Sequence, residues 1–144
     1  AEAYNETGTD RQKAWDLLNS IRTRAEATSI TEANYDEMMS ARKKTHNLTF
    51  IDDSAPEGKF RTALYWERGF ELAFEGQRKY DLIRWGVLGK ALKLFGEISS
   101  VNQKENKPYP AYRNFTEGKH ELFPIPLKEI QSNPKLNGMN NNGY

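Results

Sequence analysis

The 144-residue chain is long enough for one domain with its own core, and its charge is nearly balanced. Its 21 Lys and Arg residues stand against 20 Asp and Glu residues, a net charge of +1 with no basic stripe for a nucleic-acid partner. The absence of cysteine excludes a disulfide framework, a thiolate metal site and a Cys nucleophile. Seven Tyr, seven Phe and three Trp predict a core of large side chains beneath a polar surface.

Residues 1–28 predict the end of a helix–turn–helix pair. The first residues are helix formers that run directly into Gly8, as they do where a helix ends. We therefore expect that the upstream part of this helix lies outside the chain, together with any signal peptide or lipid anchor. Thr9–Gln12 has the form of a capping box, and a helix over about residues 10–27 should follow. Its apolar residues at helical spacing are Ala14, Leu17, Ile21 and Ala25.

The middle of the chain predicts a connector and then the main helices. Within the connector, residues 29–58, a polar helix is expected over Thr31–Lys44, and Asp52–Pro56 should break the chain direction. Residues 59–95 should hold two helices. Apolar periodicity predicts that the first ends near Gly76 and that the second spans residues 82–95.

Residues 96–144 predict a loop and a C-terminal tail. No apolar periodicity is present over residues 97–121. Leu122–Pro126 should be rigid and extended because each proline fixes its own φ and disfavours helix in its predecessor. Leu127–Gln131 should form one turn, and turn residues follow. No strand pattern is convincing, so the sequence predicts an all-α fold of helix pairs with long ordered loops.

A dense set of charges on the main helices could be mistaken for a catalytic site. Glu67, Glu71 and Glu75 are spaced to share one helical face, where they would repel each other without nearby cations. Arg78 and Arg84 are the cations that the sequence offers as their partners. We interpret the set as a structural ion network that joins two helices. Its members are Glu67, Arg68, Glu71, Glu75, Arg78, Asp81 and Arg84.

The loop around residues 107–115 is the one feature expected to touch a sugar. Its candidate ligand-binding residues are Tyr109, Tyr112, Arg113 and Asn114. Aromatic rings can stack on the apolar face of a pyranose, and Arg and Asn can hydrogen-bond its hydroxyls. The alternative is that these aromatics, with Phe115, anchor a long loop onto the helices.

Catalytic residues, metal ligands and cofactors are not predicted. A glycosidase needs two carboxylates across a sugar-sized gap, which adjacent turns of one helix do not create. The two histidines, His46 and His120, lie in separate loops without a second His at ligand spacing, and both are expected at the surface.

Several segments in order resemble the SusD/RagB family. Leu18–Ala25, with the sequence LNSIRTRA, is similar to a family helix, and Glu67–Gly76, ERGFELAFEG, is similar to the family signature. The spacing of Arg78, Asp81, Leu82, Arg84 and Trp85 resembles its continuation. The closing segments FPIP, Asn133-Pro134 and Gly143-Tyr144 resemble the family's end. Two positions depart from the pattern, Gly69 and Asn142, and Gly69 should weaken its helix by roughly 1 kcal/mol relative to Ala.

The resemblance implies the C-terminal part of a larger SusD-like fold with tetratricopeptide-like helix pairs. It also implies an outer-membrane lipoprotein, exposed on the extracellular face, that binds oligosaccharides or polysaccharides without chemistry. The implied partner is a SusC-like TonB-dependent transporter, and membrane attachment would come only from an N-terminal lipid anchor absent from this chain. The alternative is a tetratricopeptide-like protein–protein interaction module, suggested by the first helix pair. An accessory domain of a glycoside hydrolase is a third possibility, without a carboxylate pair to support it.

Overall fold

The computed structural model of the chain describes residues 1–102 and 110–144, with side chains up to residue 98 and from residue 110 onward. These residues form helices and loops and contain no strand, which confirms the all-α class. They divide into two compact units, Ala1–Lys79 and Tyr80–Tyr144. No helix in the described ranges has the length and apolar character needed to span a membrane.

The first unit contains four helices, which are α1 Glu2–Thr7, α2 Arg11–Arg24, α3 Tyr35–Thr45 and α4 Pro56–Glu71. The second unit contains α6 Leu88–Asn102, α7 Pro110–Arg113, α8 Leu127–Ser132 and the 3-10 turn Pro134–Leu136. Between them in the chain, α5 spans Arg78–Arg84. The expected subdivision of the chain at residues 28, 58 and 95 remains a prediction.

The turn between α1 and α2 confirms the predicted helix pair but corrects its cap. Gly8 ends α1 in the left-handed conformation, with a φ of 67°, and its N–H donates to the Asn5 carbonyl. The N-cap of α2 is Asp10, whose carboxylate accepts a 2.9 Å hydrogen bond from the Lys13 amide. The capping box beginning at Thr9 was therefore placed one residue too early.

The buried face of α2 differs from the predicted stripe. Leu17 and Ala25 are exposed, whereas Trp15, Leu18 and Arg22 are buried beside Ala14. The Trp15 ring sets this register, because its edge packs on Phe60 of α4 with 4.9 Å between the ring centroids.

One core joins all the long helices of the first unit. Tyr35 and Phe60 are among its largest fully buried side chains, and the Tyr35 hydroxyl donates a 2.6 Å hydrogen bond to Asp53. The core consists of Ala14, Trp15, Leu18, Ile30, Tyr35, Met39, Phe60 and Ala63. The prediction of large aromatic side chains in the core is confirmed in this unit.

The start of α3 and the end of α4 differ from the predicted boundaries. Helix α3 begins at Tyr35 rather than Thr31, because the Asn34 side chain accepts a hydrogen bond from the Thr31 amide and closes a turn. Helix α4 ends at Glu71 rather than near Gly76. Residues 72–76 form turns in which Phe74 has a φ of 67°, and this ring is exposed.

The helix predicted over residues 82–95 is two helices. Gly86, with a φ of 66°, follows α5, and its N–H donates to the Ile83 carbonyl while the Val87 N–H donates to the Leu82 carbonyl. This pair of hydrogen bonds is a Schellman motif, which ends a helix at a glycine. Helix α6 then continues to Asn102, within the region that was predicted as a loop.

The C-terminal tail is held by asparagine side chains. The Asn140 carboxamide accepts a 2.7 Å hydrogen bond from the Ile125 N–H and donates one of 3.4 Å to the Ile125 carbonyl. Asn141 donates to the Phe123 carbonyl at 2.6 Å, and the Tyr144 hydroxyl donates to the Leu122 carbonyl at 3.2 Å. The tail residues therefore supply backbone partners to Leu122–Ile125, a segment whose prolines prevent regular pairing.

Replacing Asn140 by Ala should release this segment. The variant leaves the half-buried Ile125 N–H without its acceptor, which costs about 1–3 kcal/mol. Hydrogen exchange at the Ile125 amide should accelerate strongly. Asn142→Ala is the matched control, because its side chain makes only a 3.4 Å contact with the Gly118 carbonyl at the surface. Equal exchange rates at Ile125 in the two variants would contradict the assignment.

Candidate functional site

Two glutamates of the predicted ion network, both on α4, form ion pairs with arginines of α2. Arg22 pairs with Glu67, and Arg24 pairs with Glu71. The Arg22 and Glu67 side chains are only 8% and 13% exposed, whereas Arg24 is 64% exposed. The partners of the two glutamates thus include Arg22 and Arg24, which were not predicted as members of the network.

The same helix also holds the turn that follows it. The Asn19 carboxamide accepts from the Ile30 N–H and donates to the Ile30 carbonyl, both at 2.8 Å. Arg22 Nε donates to the Thr28 carbonyl at 2.7 Å. Asn19, Arg22 and Arg24 therefore act on the backbone of residues 28–30 and on α4, and these contacts are structural.

The other predicted network residues lie at the end of α4 and on α5. Arg78 donates to the Tyr65 carbonyl at 2.9 Å, and its guanidinium lies 3.8 Å from the centre of the Tyr65 ring. Asp81 is buried and accepts a 3.2 Å hydrogen bond from Arg84. Arg68 lies on α4 and is partly buried. Glu75 lies exposed beyond the end of α4, so its predicted place on the face of Glu67 and Glu71 was wrong.

The predicted sugar-contacting residues are only partly brought together. Tyr109 lies outside the described residues. Tyr112 is half-buried on α7, and its ring lies against Gly96 of α6, where an added Cβ would stand 2.8 Å from the ring. Phe115 lies equally close to Gly89. The two glycines are seven residues apart, on one face of α6, and they give these rings the space to pack on the helix.

Arg113 and Asn114 remain exposed beside these packed rings. The turn that carries them is closed by the Asn114 N–H, which donates to the Pro110 carbonyl at 3.0 Å. In this geometry Tyr112 and Phe115 position the turn, and Arg113 and Asn114 can present polar groups to a ligand. Gly89 and Gly96 are the signal in the sequence that could have predicted this packing. Their residue type alone did not show that they leave space for the two rings.

Each of the two histidines forms a hydrogen bond with a residue close to it in the sequence. His46 is exposed as expected, whereas His120 is half-buried, which corrects the expectation of a surface residue. His120 Nδ1 accepts a 2.7 Å hydrogen bond from the Thr116 N–H, and its ring lies 5.9 Å from that of Phe115. Within residues 1–102 and 110–144, no three His, Asp or Glu side chains are grouped as ligands of a metal ion would be.

Comparison with known proteins accounts for the full length of the chain. The family model of the SusD family matches residues 1–144. The chain is 40% identical to the SusD-like protein P25 of Formosa agariphila over 146 aligned positions, and 31% identical to the SusD-like protein P2 of the same organism over 144. All of the chain is aligned in both cases, but it spans only 22% and 23% of these relatives. No solved structure matches the chain.

The two family-like segments, Leu18–Ala25 and Glu67–Gly76, contain the residues that join α2 to α4 through Arg22–Glu67 and Arg24–Glu71. Their resemblance to the family therefore has a structural basis in this chain. With the family match over every residue, it follows that the chain belongs to the SusD family.

Proposed function

We propose that this chain serves the non-catalytic binding of glycans or similar nutrient oligomers at the cell surface. The observation that carries the proposal is the match to the SusD family over residues 1–144, since proteins of this family bind nutrients and are not catalysts. The ion pairs between helices support it as well. They assign the most conspicuous carboxylates, Glu67 and Glu71, to the scaffold and leave them unsuited to acid–base catalysis.

The proposal also covers the location of the protein in the cell and the transporter with which it works. Family proteins are typically outer-membrane lipoproteins exposed at the surface, so we place this one on the extracellular face of the outer membrane. A SusC-like TonB-dependent transporter would receive the ligand. Within this chain, we propose Tyr109, Tyr112, Arg113 and Asn114 as the ligand-binding residues, with Tyr112 chiefly positioning the exposed Arg113 and Asn114.

A chimaera tests the proposal in a protein of full length. Residues 1–144 replace the matched region of the SusD-like protein P25, and calorimetry with a panel of oligosaccharides follows. We expect saturable binding by the chimaera and weak or undetectable binding by the isolated chain, because a few contacts from one turn must overcome the cost of association. Micromolar binding by the isolated chain that disappears in Tyr112→Ala would show a complete site here and contradict this expectation.

Variants of the turn test the assigned residues. The double variant Arg113→Ala/Asn114→Ala removes two exposed polar groups without touching the rings on Gly89 and Gly96, so it should weaken oligosaccharide binding by the chimaera at an unchanged melting temperature. Glu117→Ala, an exposed position three residues beyond Asn114, is the control. Full affinity in the double variant would remove this turn from the proposed site.

The alternative function is a tetratricopeptide-like protein–protein interaction module. The observation behind it is that α1 and α2 contact each other and are joined by the Gly8 turn. A chimaera that binds no oligosaccharide but retains a protein partner would favour this alternative.

A further inference from the structure

A cation lies on two stacked aromatic rings in the first unit. Trp66 and Phe70, one turn apart on α4, are nearly parallel, with an interplanar angle of 20° and 6.1 Å between ring centroids. The guanidinium of Arg42, from α3, lies 4.7 Å from the Phe70 centroid and 5.5 Å from that of Trp66. Phe70 is nevertheless 54% exposed. The arrangement thus combines a cation with an accessible aromatic surface.

The hydrogen-bonding capacity of Arg42 is not used up within the described part of the chain. Its Nη1 atom is shielded from solvent and has no acceptor among residues 1–102 and 110–144. Burial lowers the pKa of the guanidinium, while the nearby charge of Glu67 opposes this and that of Arg22 adds to it. Glu67 is itself paired with Arg22, so it does not serve Arg42 as a dedicated counter-ion. A shielded donor without an acceptor is costly, and an oxyanion that reached the guanidinium would relieve that cost.

The surroundings of Arg42 favour an anion. The residue lines a small recess that is open to solvent. His46 and Asn47 also line it and can hydrogen-bond a hydroxyl group. Lys43, on the same rim, pairs with Asp53 at 2.7 Å, so the rim carboxylate is already engaged.

We propose that Arg42, Trp66 and Phe70 form a subsite for an acidic sugar, a uronate residue within an oligosaccharide. This inference rests on the proposed function and narrows its substrate class. The carboxylate of the uronate accepts hydrogen bonds from the planar guanidinium fork of Arg42, which matches carboxylate geometry. The apolar face of the same sugar stacks on the exposed Phe70 ring, and its hydroxyls reach His46 or Asn47.

Nuclear magnetic resonance on the 144-residue chain tests the subsite directly. Trigalacturonate is titrated against the labelled chain, and the carboxyl-reduced trisaccharide, which differs only in charge, serves as the matched ligand control. We expect the Trp66 indole and the Phe70 ring resonances to shift with trigalacturonate at millimolar concentrations. The reduced sugar should produce a response about tenfold weaker or less, because it lacks the charge-assisted hydrogen bonds.

Three variants separate the subsite from general charge attraction. Arg42→Gln should weaken trigalacturonate binding by about tenfold or more, and Phe70→Ala should weaken it without changing the fold. Lys44→Gln removes the same charge from an exposed position of the same helix and should change affinity by less than about twofold. Should Arg42→Gln fail to fold, Arg42→Lys tests the guanidinium geometry and Phe70→Ala the stacking.

The results of these experiments can contradict the uronate subsite without contradicting the proposed function. Equal responses to the acidic and reduced sugars, no shift at Trp66, or equal losses in Arg42→Gln and Lys44→Gln would each overturn the subsite. The proposed function would still stand if the chimaera bound neutral oligosaccharides through other residues. It would fall only if the chimaera bound no oligosaccharide of either kind.

Discussion

Replacing Arg22 by Ala should lower the free energy of unfolding by about 3–5 kcal/mol, the usual loss when one partner of a buried ion pair is removed. Arg22 and Glu67 shield each other from water, with side-chain exposures of 8% and 13%. Without the guanidinium, the Glu67 carboxylate stays in a poorly hydrated position, and the Thr28 carbonyl loses its donor as well. Chemical denaturation of the variant and the parent chain measures the difference.

The second ion pair between the same helices provides the control. Arg24 also reaches from α2 to α4, but it is 64% exposed. Solvent screens such a pair, and the freed Glu71 can hydrate, so Arg24→Ala should leave the denaturation midpoint almost unchanged. If both variants lost the same stability, burial of Arg22–Glu67 would not be the reason for its importance. The SusD-like segments of this chain would then need another explanation.

Two glycines of α4 should respond to alanine with opposite signs. At Gly58 an added Cβ would overlap the Asp52 carbonyl oxygen and lie 2.7 Å from its carbon, so the backbone of the preceding loop must move. Gly58→Ala should therefore destabilise the chain by about 3 kcal/mol, the upper part of the range for overpacking. The loop also carries Asp53, which holds the buried Tyr35 hydroxyl, so the disturbance reaches the core.

Gly69→Ala is the matched substitution in the same helix. Its Cβ would lie 3.6 Å from Arg78 Cζ, at ordinary van der Waals distance. The alanine should therefore stabilise the chain by about 0.5–1 kcal/mol, the difference in helix propensity between the two residues. Thermal melts of both variants decide the matter. A loss of stability in Gly69→Ala would mean that this departure from the family pattern is required by its surroundings.

The fold class and most helices could be predicted because they depend on local pattern. Gly8 marks a helix end that is visible in the sequence, and the apolar spacing predicts α4, although its start at Pro56 had been assigned to the connector. The boundaries failed where one local contact overrides periodicity. The hydrogen bond from the Thr31 amide to the Asn34 side chain moves the start of α3 to Tyr35. The Schellman motif at Gly86 separates α5 from α6, although the apolar repeat of the sequence continues across Gly86. Such contacts depend on backbone geometry, which residue types do not specify.

The candidate sites were predicted less completely because their partners are distant in sequence. Glu67 and Arg22 are 45 residues apart, and spacing along the main helices offered only Arg78 and Arg84 as nearby cations. The proposed subsite of Arg42, Trp66 and Phe70 joins two helices and carries no short motif. Residue types could identify the aromatic turn at Tyr112, but only its packing on Gly96 distinguishes an anchoring ring from a contact residue.

The asparagines of the C-terminal tail, residues 140–142, have a consequence for the chemical ageing of the protein. Deamidation turns a carboxamide into a carboxylate, which keeps its acceptors and loses its donor hydrogens. At Asn142, followed by Gly143, the product that carries an ordinary aspartate loses a 3.4 Å surface contact, so it should differ in charge and keep the shape of the tail. At Asn141 the new carboxylate would face the Phe123 carbonyl that it now bonds at 2.6 Å, and the repulsion would loosen the tail. Stored samples should therefore separate into acidic forms of equal net charge, of which only the Asn141 product has lost order around Phe123.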